Sequence, residues 1–204
     1  MTQVKICGIK NQEGIEIVNR HRPDYIGFVF AESRRRVTHE QAYELRRKLA
    51  EGIKTVGVFV NDKVDSILKL ALSGIIDVIQ LHGDEDEHTI ELLKQKTVCP
   101  IIKAVRVEKP EQILAAQMLP CDMLLLDAFH QGSYGGIGRQ FDHSLIPPLQ
   151  KPFFLAGGLD EENVGQCILK YKPYGVDISS GAETNGNKDE AKIRKILKAV
   201  SLAR

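Results

Sequence analysis

One thiol and one carboxylate stand where short apolar runs end, and they are the first candidates for chemistry. Cys7 closes the run VKIC and precedes Gly8, and Asp127 closes the run LLLD. A thiol acts as a base or a nucleophile when nearby positive charge lowers its pKa. A carboxyl group in apolar surroundings has a raised pKa, so it can donate a proton near neutral pH. We therefore interpret Cys7 as a candidate base or nucleophile and Asp127 as a candidate general acid.

Two glycine-rich segments later in the chain have the composition of an anion site. They are FLAGGL at residues 154–159 and DISSGAE at residues 177–183. Glycines let backbone N–H groups approach an anion closely, and serine hydroxyls add donors. We predict a phosphate site there, and the substrate-binding residues in these segments are Gly157, Gly158, Asp177, Ser179, Ser180 and Gly181.

Two charged runs are further candidates for binding residues. SRRRV at residues 33–37 offers one arginine to bind a carboxylate in bidentate fashion and two that face outward. HGDEDEH at residues 82–88 raises the question of a metal site, which we disfavour. Its acids more simply cap and begin the next helix. With the acids assigned to that helix, His82 is the residue of this run that lies at the end of the predicted strand 77–82.

Short apolar runs alternate with longer amphipathic segments along the whole chain, which predicts repeated βα units. Because the runs are apolar on both faces, they suit a parallel sheet covered by helices. We predict strands at residues 4–7, 25–30, 55–60, 77–82, 101–105, 122–129, 153–158 and 176–179. We predict helices at residues 38–50, 62–72, 160–169 and 189–202, with Thr38 and Asp62 as N-caps of the first two.

Eight such strands in 204 residues predict an α/β fold, a single (β/α)8 TIM barrel with a parallel core that forms one domain over residues 1–204. In such barrels the catalytic groups lie at the C-terminal ends of the strands, where Cys7 and Asp127 stand. The alternative is a doubly wound open sheet, but the segment ICGIKNQEG lacks the GxGxxG order. Pro147 and Pro148 predict a short or irregular helix after Asp142.

Composition excludes several classes of partner. The formal net charge is +1, with 43% hydrophobic and 27% charged residues. A near-neutral balance argues against nucleic acid and anionic membranes. The four cysteines lack paired CxxC spacing, so neither zinc nor structural disulfides are expected. We expect a cytoplasmic protein with no membrane segment, present as a monomer or a homodimer.

The motifs together resemble the phosphoribosylanthranilate isomerase family of tryptophan biosynthesis. They occur in the family's order over nearly the full chain: KICGI, GFVF, SRR, GVFVN, QLHG, LLLD, GGIG with FD, AGGL and VDISSG. The resemblance implies an Amadori rearrangement of a phosphorylated sugar–anthranilate substrate, with neither a metal nor an organic cofactor.

By the same resemblance, Cys7 is the general base and Asp127 the general acid. The SRR motif implies that Arg35 binds the anthranilate carboxylate, with Arg36 as the alternative register. His82 lines the pocket, and the phosphate lies on the two glycine-rich segments.

Other functions remain as alternatives. The histidine-pathway isomerase performs the same rearrangement but carries an aspartate where this chain has Cys7. Indoleglycerol phosphate synthase needs a longer N-terminal extension and a catalytic lysine, and Lys5 lies two residues too early. A non-catalytic phosphosugar-binding barrel lacks the acid or the base. An RNA-binding module using residues 34–36 would need stacking aromatics beside the arginines.

Overall fold

The computed structural model describes residues 1–128 and 143–203, and its eight parallel strands close into a barrel. Each strand pairs with the next one along the chain, and β8 pairs back with β1. The strands are β1 (Gln3–Cys7), β2 (Tyr25–Val29), β3 (Lys54–Phe59), β4 (Val78–Leu81), β5 (Ile101–Val107), β6 (Met123–Ala128), β7 (Phe153–Leu155) and β8 (Gly175–Ile178).

Helices connect most of the strands and cover the barrel. They are α1 (Gln12–His21), α2 (His39–Arg47), α3 (Val64–Leu72), α4 (Glu87–Lys96), α5 (Pro110–Met118), α6 (Val164–Tyr171) and α7 (Glu190–Leu202). Two 3-10 turns lie at His143–Leu145 and Ser180–Ala182. A two-stranded ribbon, β9 (Glu183–Thr184) and β10 (Asn187–Lys188), follows the second turn. The predicted (β/α)8 barrel is confirmed, and so is the irregular element before the two prolines.

Helix starts follow local capping chemistry. The Thr38 side chain accepts from Gln41 N, and the Gln41 side chain accepts from Thr38 N, so the predicted cap of α2 is confirmed. Asp86 caps α4 by accepting from Thr89 N. The prediction for α3 was wrong, because its N-cap is Lys63 and the Asp62 carboxylate instead accepts from Lys63 N.

Some predicted boundaries were also wrong. Strand β7 stops at Leu155 rather than residue 158, because Gly157 and Gly158 have φ values of 83° and 65°, outside the extended region. Helix α6 begins at Val164 rather than residue 160. The end of the predicted run 122–129 lies outside the described residues.

Apolar residues pack on both sides of the strands. The larger cluster joins the strands to the helices, and the smaller one fills the barrel interior. The interior cluster consists of Tyr25, Val56, Val78, Ile102, Ala104, Met123, Leu125, Phe154 and Ala156. Because side chains alternate along a strand, the inward-facing positions continue to Cys7, Gln80 and Asp127 at the C-terminal ends. The packed apolar interior thus lies directly beneath these polar groups and supports them.

A buried ion pair joins the loops after β3 and β4 to strand β5. Lys103 Nζ lies 2.8 Å from Glu85 Oε2 and donates to Gly83 O at 2.7 Å. The Glu85 carboxylate also accepts from the backbone N–H groups of Gly83 and Asn61. This cluster of four residues, the Lys103 clamp, fixes the segment that directly follows His82.

Replacing Lys103 with Met is expected to destabilise the protein by about 3–5 kcal/mol, because it leaves the Glu85 carboxylate buried without its cation. Urea denaturation measures the free energy of unfolding. The matched control is Lys94→Met, which removes the exposed Lys94–Asp122 pair and should change stability by about 1 kcal/mol or less. Equal effects of the two substitutions would contradict the assignment of the clamp as a stabilising network.

Candidate active site

Cys7 lies at the C-terminal end of β1, buried with 7% of its surface exposed, and its thiol is free. In the register of β1 and β2, Cys7 is opposite Gly27. A Cβ atom at Gly27 would lie 2.6 Å from Cys7 Sγ, so the missing side chain of Gly27 makes room for the thiol. The sequence prediction that Cys7 reaches the catalytic end of the barrel therefore agrees with its position.

Asp127 occupies the corresponding place near the end of β6 and is also buried. Its Oδ1 accepts from Ala128 N at 2.8 Å, which leaves Oδ2 for other partners. His82 Nε2 lies 3.4 Å from Asp127 Oδ2, and His82 Nδ1 lies 2.7 Å from Gln80 Nε2. His82 therefore stands beside the candidate acid, and Gln80 holds its ring.

The three arginines after β2 do not share one environment. Arg35 is 7% exposed, whereas the side chains of Arg34 and Arg36 are 61% and 52% exposed. Arg36 pairs with Glu32 on the surface. One arginine thus enters the mouth of the barrel and two remain outside, as the sequence predicts, and the inward one is Arg35.

Arg35 is held by a carboxylate and by a close approach to the backbone. Its Nε and Nη2 donate to Glu183 Oε1 and Oε2 at 2.7 and 2.8 Å, a bidentate pair. A Cβ atom at Gly8 would lie 2.4 Å from Arg35 Cδ, so only glycine lets the arginine cross the end of β1. Lys188 Nζ donates to Glu183 Oε1 at 2.9 Å. Burial alone would raise the pKa of Glu183, but Arg35 and Lys188 lower it to about 2.

The loops after β7 and β8 meet backbone to backbone. A Cβ atom at Gly181 would lie 2.0 Å from Leu159 O, so this contact requires a glycine. Gly157 abuts the candidate acid, since a Cβ atom there would lie 3.2 Å from Asp127 Oδ1. The predicted phosphate-binding residues Gly157, Gly158, Ser179, Ser180 and Gly181 are all partly exposed at this end of the barrel. The structure thus brings the two glycine-rich segments together.

Replacing Gly181 with Ala is expected to raise KM about tenfold or more, a loss of about 1.4 kcal/mol in binding, because the new methyl group forces the two loops apart. The change in kcat should be smaller, since Cys7 and Asp127 are untouched. Steady-state kinetics measures both constants. Gly165→Ala in α6 is the matched control, because its Cβ atom would make only ordinary contacts at 3.7 Å or more. An unchanged KM for Gly181→Ala would remove this loop contact from substrate binding.

Asp177 occupies a different position from the other residues of its predicted group. It lies within β8, and its Oδ2 accepts from Lys5 Nζ at 3.0 Å inside the barrel. Sequence reasoning assigned no function to Lys5, Glu183 or Lys188 in this site. A lysine two positions before Cys7 in an apolar strand was the available signal, because residues two apart share a face.

The remaining sequence predictions concern absences and one loop. The glycine-rich loop at residues 133–142 lies outside the described residues. Within residues 1–128 and 143–203, no group of three or more His, Cys, Asp or Glu side chains could hold a metal ion. In those same ranges, no helix has the length and apolar character needed to cross a membrane.

A closed barrel that gathers a buried thiol, a buried carboxyl group and two glycine-lined loops at one end defines an acid–base enzyme of the phosphosugar-binding barrel class. Residues 4–199 match the family model described as N-(5'-phosphoribosyl)anthranilate (PRA) isomerase. The chain belongs to this family. As a member, it is an intramolecular isomerase of tryptophan biosynthesis, in which N-(5-phosphoribosyl)anthranilate is converted to 1-(2-carboxyphenylamino)-1-deoxyribulose 5-phosphate.

Named relatives agree with the family match. The chain is 46% identical to an N-(5'-phosphoribosyl)anthranilate isomerase of Lachnoclostridium phytofermentans, with 96% of this chain and 95% of the relative covered. Among solved structures, the phosphoribosyl anthranilate isomerase of Thermotoga maritima has a TM-score of 0.89 at 34% identity, with 98% and 99% of the two chains covered. A further isomerase structure, at 31% identity, TM-score 0.82 and the same coverage, is a complex with reduced 1-(o-carboxyphenylamino)-1-deoxyribulose 5-phosphate.

Proposed function

We propose that Cys7 is the general base and Asp127 the general acid of the isomerisation. The observation that carries this proposal is that both groups lie buried at the C-terminal ends of their strands, β1 and β6. A reaction that gives one proton to a ring oxygen and takes another from carbon needs two groups of opposite function. A thiol and a carboxyl group that enter one mouth from different strands meet this requirement.

The proposed reaction proceeds in three steps. Asp127 donates its proton to the ribose ring oxygen, and the C1–O bond breaks to give an open-chain iminium ion. The Cys7 thiolate then removes the proton from C2, and the electron pair of that C–H bond forms the C1–C2 double bond of an enolamine. Finally, the enolamine takes a proton at C1 and loses one from the C2 hydroxyl, which gives the ketone. Substrate and product therefore have the same atoms, as an isomerisation requires.

Three further contacts orient the substrate in this proposal. Arg35, rather than Arg36, binds the anthranilate carboxylate, because it alone of the three arginines is buried at the mouth. Its bonds to Glu183 use two of its five N–H donors, so the guanidinium retains donors for a carboxylate. The loops after β7 and β8 bind the phosphate, and His82 lines the pocket beside Asp127. We assign Asp177 to the support of this site rather than to direct contact with the substrate.

Alkylation by iodoacetamide tests the location of the site. Loss of activity should follow the modification of Cys7, measured by mass spectrometry of its peptide. Reduced 1-(o-carboxyphenylamino)-1-deoxyribulose 5-phosphate should protect Cys7 and leave the half-buried Cys99 as reactive as before, so Cys99 is the internal control. Full activity after complete alkylation of Cys7 would overturn the proposed function.

The cellular setting is proposed on chemical grounds. A catalytic thiol needs a reducing compartment, and all four cysteines are free, which supports a cytoplasmic location. We propose that residues 1–204 act as one catalytic domain, as a monomer or a homodimer. The small-molecule substrate is its partner, and neither nucleic acid nor a membrane is.

A further inference from the structure

Lys5 is an unusual residue for the interior of a barrel. It is 0% exposed, and it lies two positions before Cys7 on the same strand, so both side chains point inward. In the register of β1 and β8, Lys5 is opposite Asp177, and its Nζ lies 3.0 Å from Asp177 Oδ2. The proposed reaction uses neither Lys5 nor Asp177, although burying two charges carries a desolvation cost that their mutual attraction has to offset.

The charged groups around Cys7 do not balance one another. The buried cations are Lys5, Arg35 and Lys188, and the buried anions are Asp177 and Glu183. Lys5 pairs with Asp177, whereas Arg35, Lys188 and the exposed Arg34 share the single carboxylate of Glu183. With Asp127 protonated, as the proposed acid must be, these buried groups carry one positive charge in excess, and a thiolate at Cys7 brings their sum to zero. Strand β2 adds no charge, because it presents Gly27 to the thiol.

We propose that Lys5, held in place by Asp177, is a positioning residue that stabilises the thiolate form of Cys7. This inference rests on the proposed function, in which Cys7 is the base. The ammonium group acts on the sulfur by its positive charge, since both side chains are buried on the inward face of β1. Asp177 holds Lys5 in the barrel interior through its Oδ2 atom. Within the described residues, Asp177 Oδ1 has no hydrogen-bond partner.

The opposing influences on Cys7 explain why a nearby cation is needed. Burial raises the pKa of the Cys7 thiol, because a low-dielectric environment disfavours the thiolate. Lys5 and Lys188 lower that pKa, and Asp177 raises it. Burial likewise disfavours a charge on Lys5, but Asp177 and Cys7 together hold the Lys5 pKa above its ordinary value. Without Lys5, Lys188 and Arg35 are the remaining described cations that interact with the Cys7 thiolate.

The experiment is a pH titration of the Cys7 thiolate by its absorbance near 240 nm. Each spectrum is taken as the difference from the same protein carrying Cys7→Ser, so the other cysteines cancel. In Lys5→Met the midpoint should rise by about 1–3 pH units, the range expected for loss of an adjacent opposite charge. In Lys5→Met/Asp177→Asn the midpoint should rise less, because the second substitution also removes a repelling carboxylate. The double variant replaces the whole ion pair, so it decides the question if the single variant does not fold.

The matched control is Lys103→Met, which also removes a buried, ion-paired lysine but on the outer face of the barrel. It should lower stability and leave the Cys7 midpoint where it is in the wild type. In the unaltered protein, the 13Cε resonance of Lys5 should move as Cys7 ionises and stay constant over that pH range in Cys7→Ser. Unmoved midpoints in the Lys5 variants, or an unmoved Lys5 resonance in the wild type, would overturn the inference.

These results are separate from the test of the base itself. If Cys7 alkylation spares activity while the Lys5 variants shift the thiol midpoint, the proposed function fails and the electrostatic role of Lys5 stands. If alkylation abolishes activity and the midpoint does not move, the base stands and the role of Lys5 fails. When both the assignment of Cys7 as the base and the role of Lys5 hold, the acidic limb of the pH profile of kcat/KM moves to higher pH in the Lys5 variants. Their activity then recovers at alkaline pH.

Discussion

Replacing Asp127 with Asn should lower kcat by about 10²- to 10⁴-fold, because an amide cannot give a proton to the ring oxygen as it leaves. This corresponds to about 3–5 kcal/mol of transition-state stabilisation. Asparagine retains the size of the side chain and can still accept from Ala128 N, so KM and the fold should change little. A fluorescence assay that follows the loss of freshly generated phosphoribosylanthranilate measures the rate.

Asp122→Asn is the control on the same segment of chain. Asp122 lies just before β6, at the opposite end of the barrel, where its Oδ2 accepts from Ile101 N at 2.8 Å. Its substitution should affect stability and leave turnover close to that of the wild type. Near-native turnover of Asp127→Asn would remove this residue from the mechanism, and the neighbouring His82 would be the next group to test as the acid.

Replacing Cys7 with Ala should have an effect of the same order on kcat, about 10²- to 10⁴-fold, because alanine cannot take the C2 proton that the proposed base removes. KM should stay within a few-fold of the wild-type value, since the proposed role of the thiol is proton transfer at C2 rather than substrate binding. With substrate deuterated at C2, single-turnover rates should show a primary isotope effect in the wild type.

Cys167→Ala provides the comparison for a lost buried thiol. Cys167 lies on α6 in the outer core, so its removal makes a similar small cavity without touching the site. Circular dichroism should show both variants folded, and only Cys7→Ala should lose turnover. If the two variants retained the same activity, Cys7 would be a packing residue at the end of β1.

The parts of the fold that follow from local patterns were predictable from the sequence. Apolar runs, the cap at Thr38 and the prolines after residue 146 depend on neighbours within a few positions. Cys7 and Asp127 could be assigned to one end of the barrel because strand direction in a parallel barrel determines where each C-terminus lies. Three consecutive arginines carry the same local signal, so only the register of the SRR motif favoured Arg35, with Arg36 as the alternative, and the structure buries Arg35.

The electrostatic part of the site depends on contacts across the length of the chain. Lys5 and Asp177 are 172 positions apart, and Arg35 and Glu183 are 148 apart. Closure of β8 against β1 brings each pair together, and no periodicity in the sequence predicts which charges will meet. The sequence places Asp177 with the phosphate loop because it belongs to the segment DISSGAE. Its position within β8 instead turns the side chain toward Lys5.

Within the described residues, two contacts join neighbouring loops at the C-terminal end of the barrel in the absence of any ligand. The Lys103 clamp joins the loops after β3 and β4 on one side, and the contact of Gly181 with Leu159 joins the loops after β7 and β8 on the other. Each contact restrains its loops by hydrogen bonds or packing, and restrained loops lose less conformational entropy when a ligand binds nearby. In the proposed binding mode, the phosphate end of the substrate meets the joined loops after β7 and β8, and the anthranilate end meets Arg35, which Glu183 already holds in place. The substrate thus binds two prepared sites at once, in the manner of a bivalent ligand, and its ribose is held over Cys7 and Asp127 by its two ends.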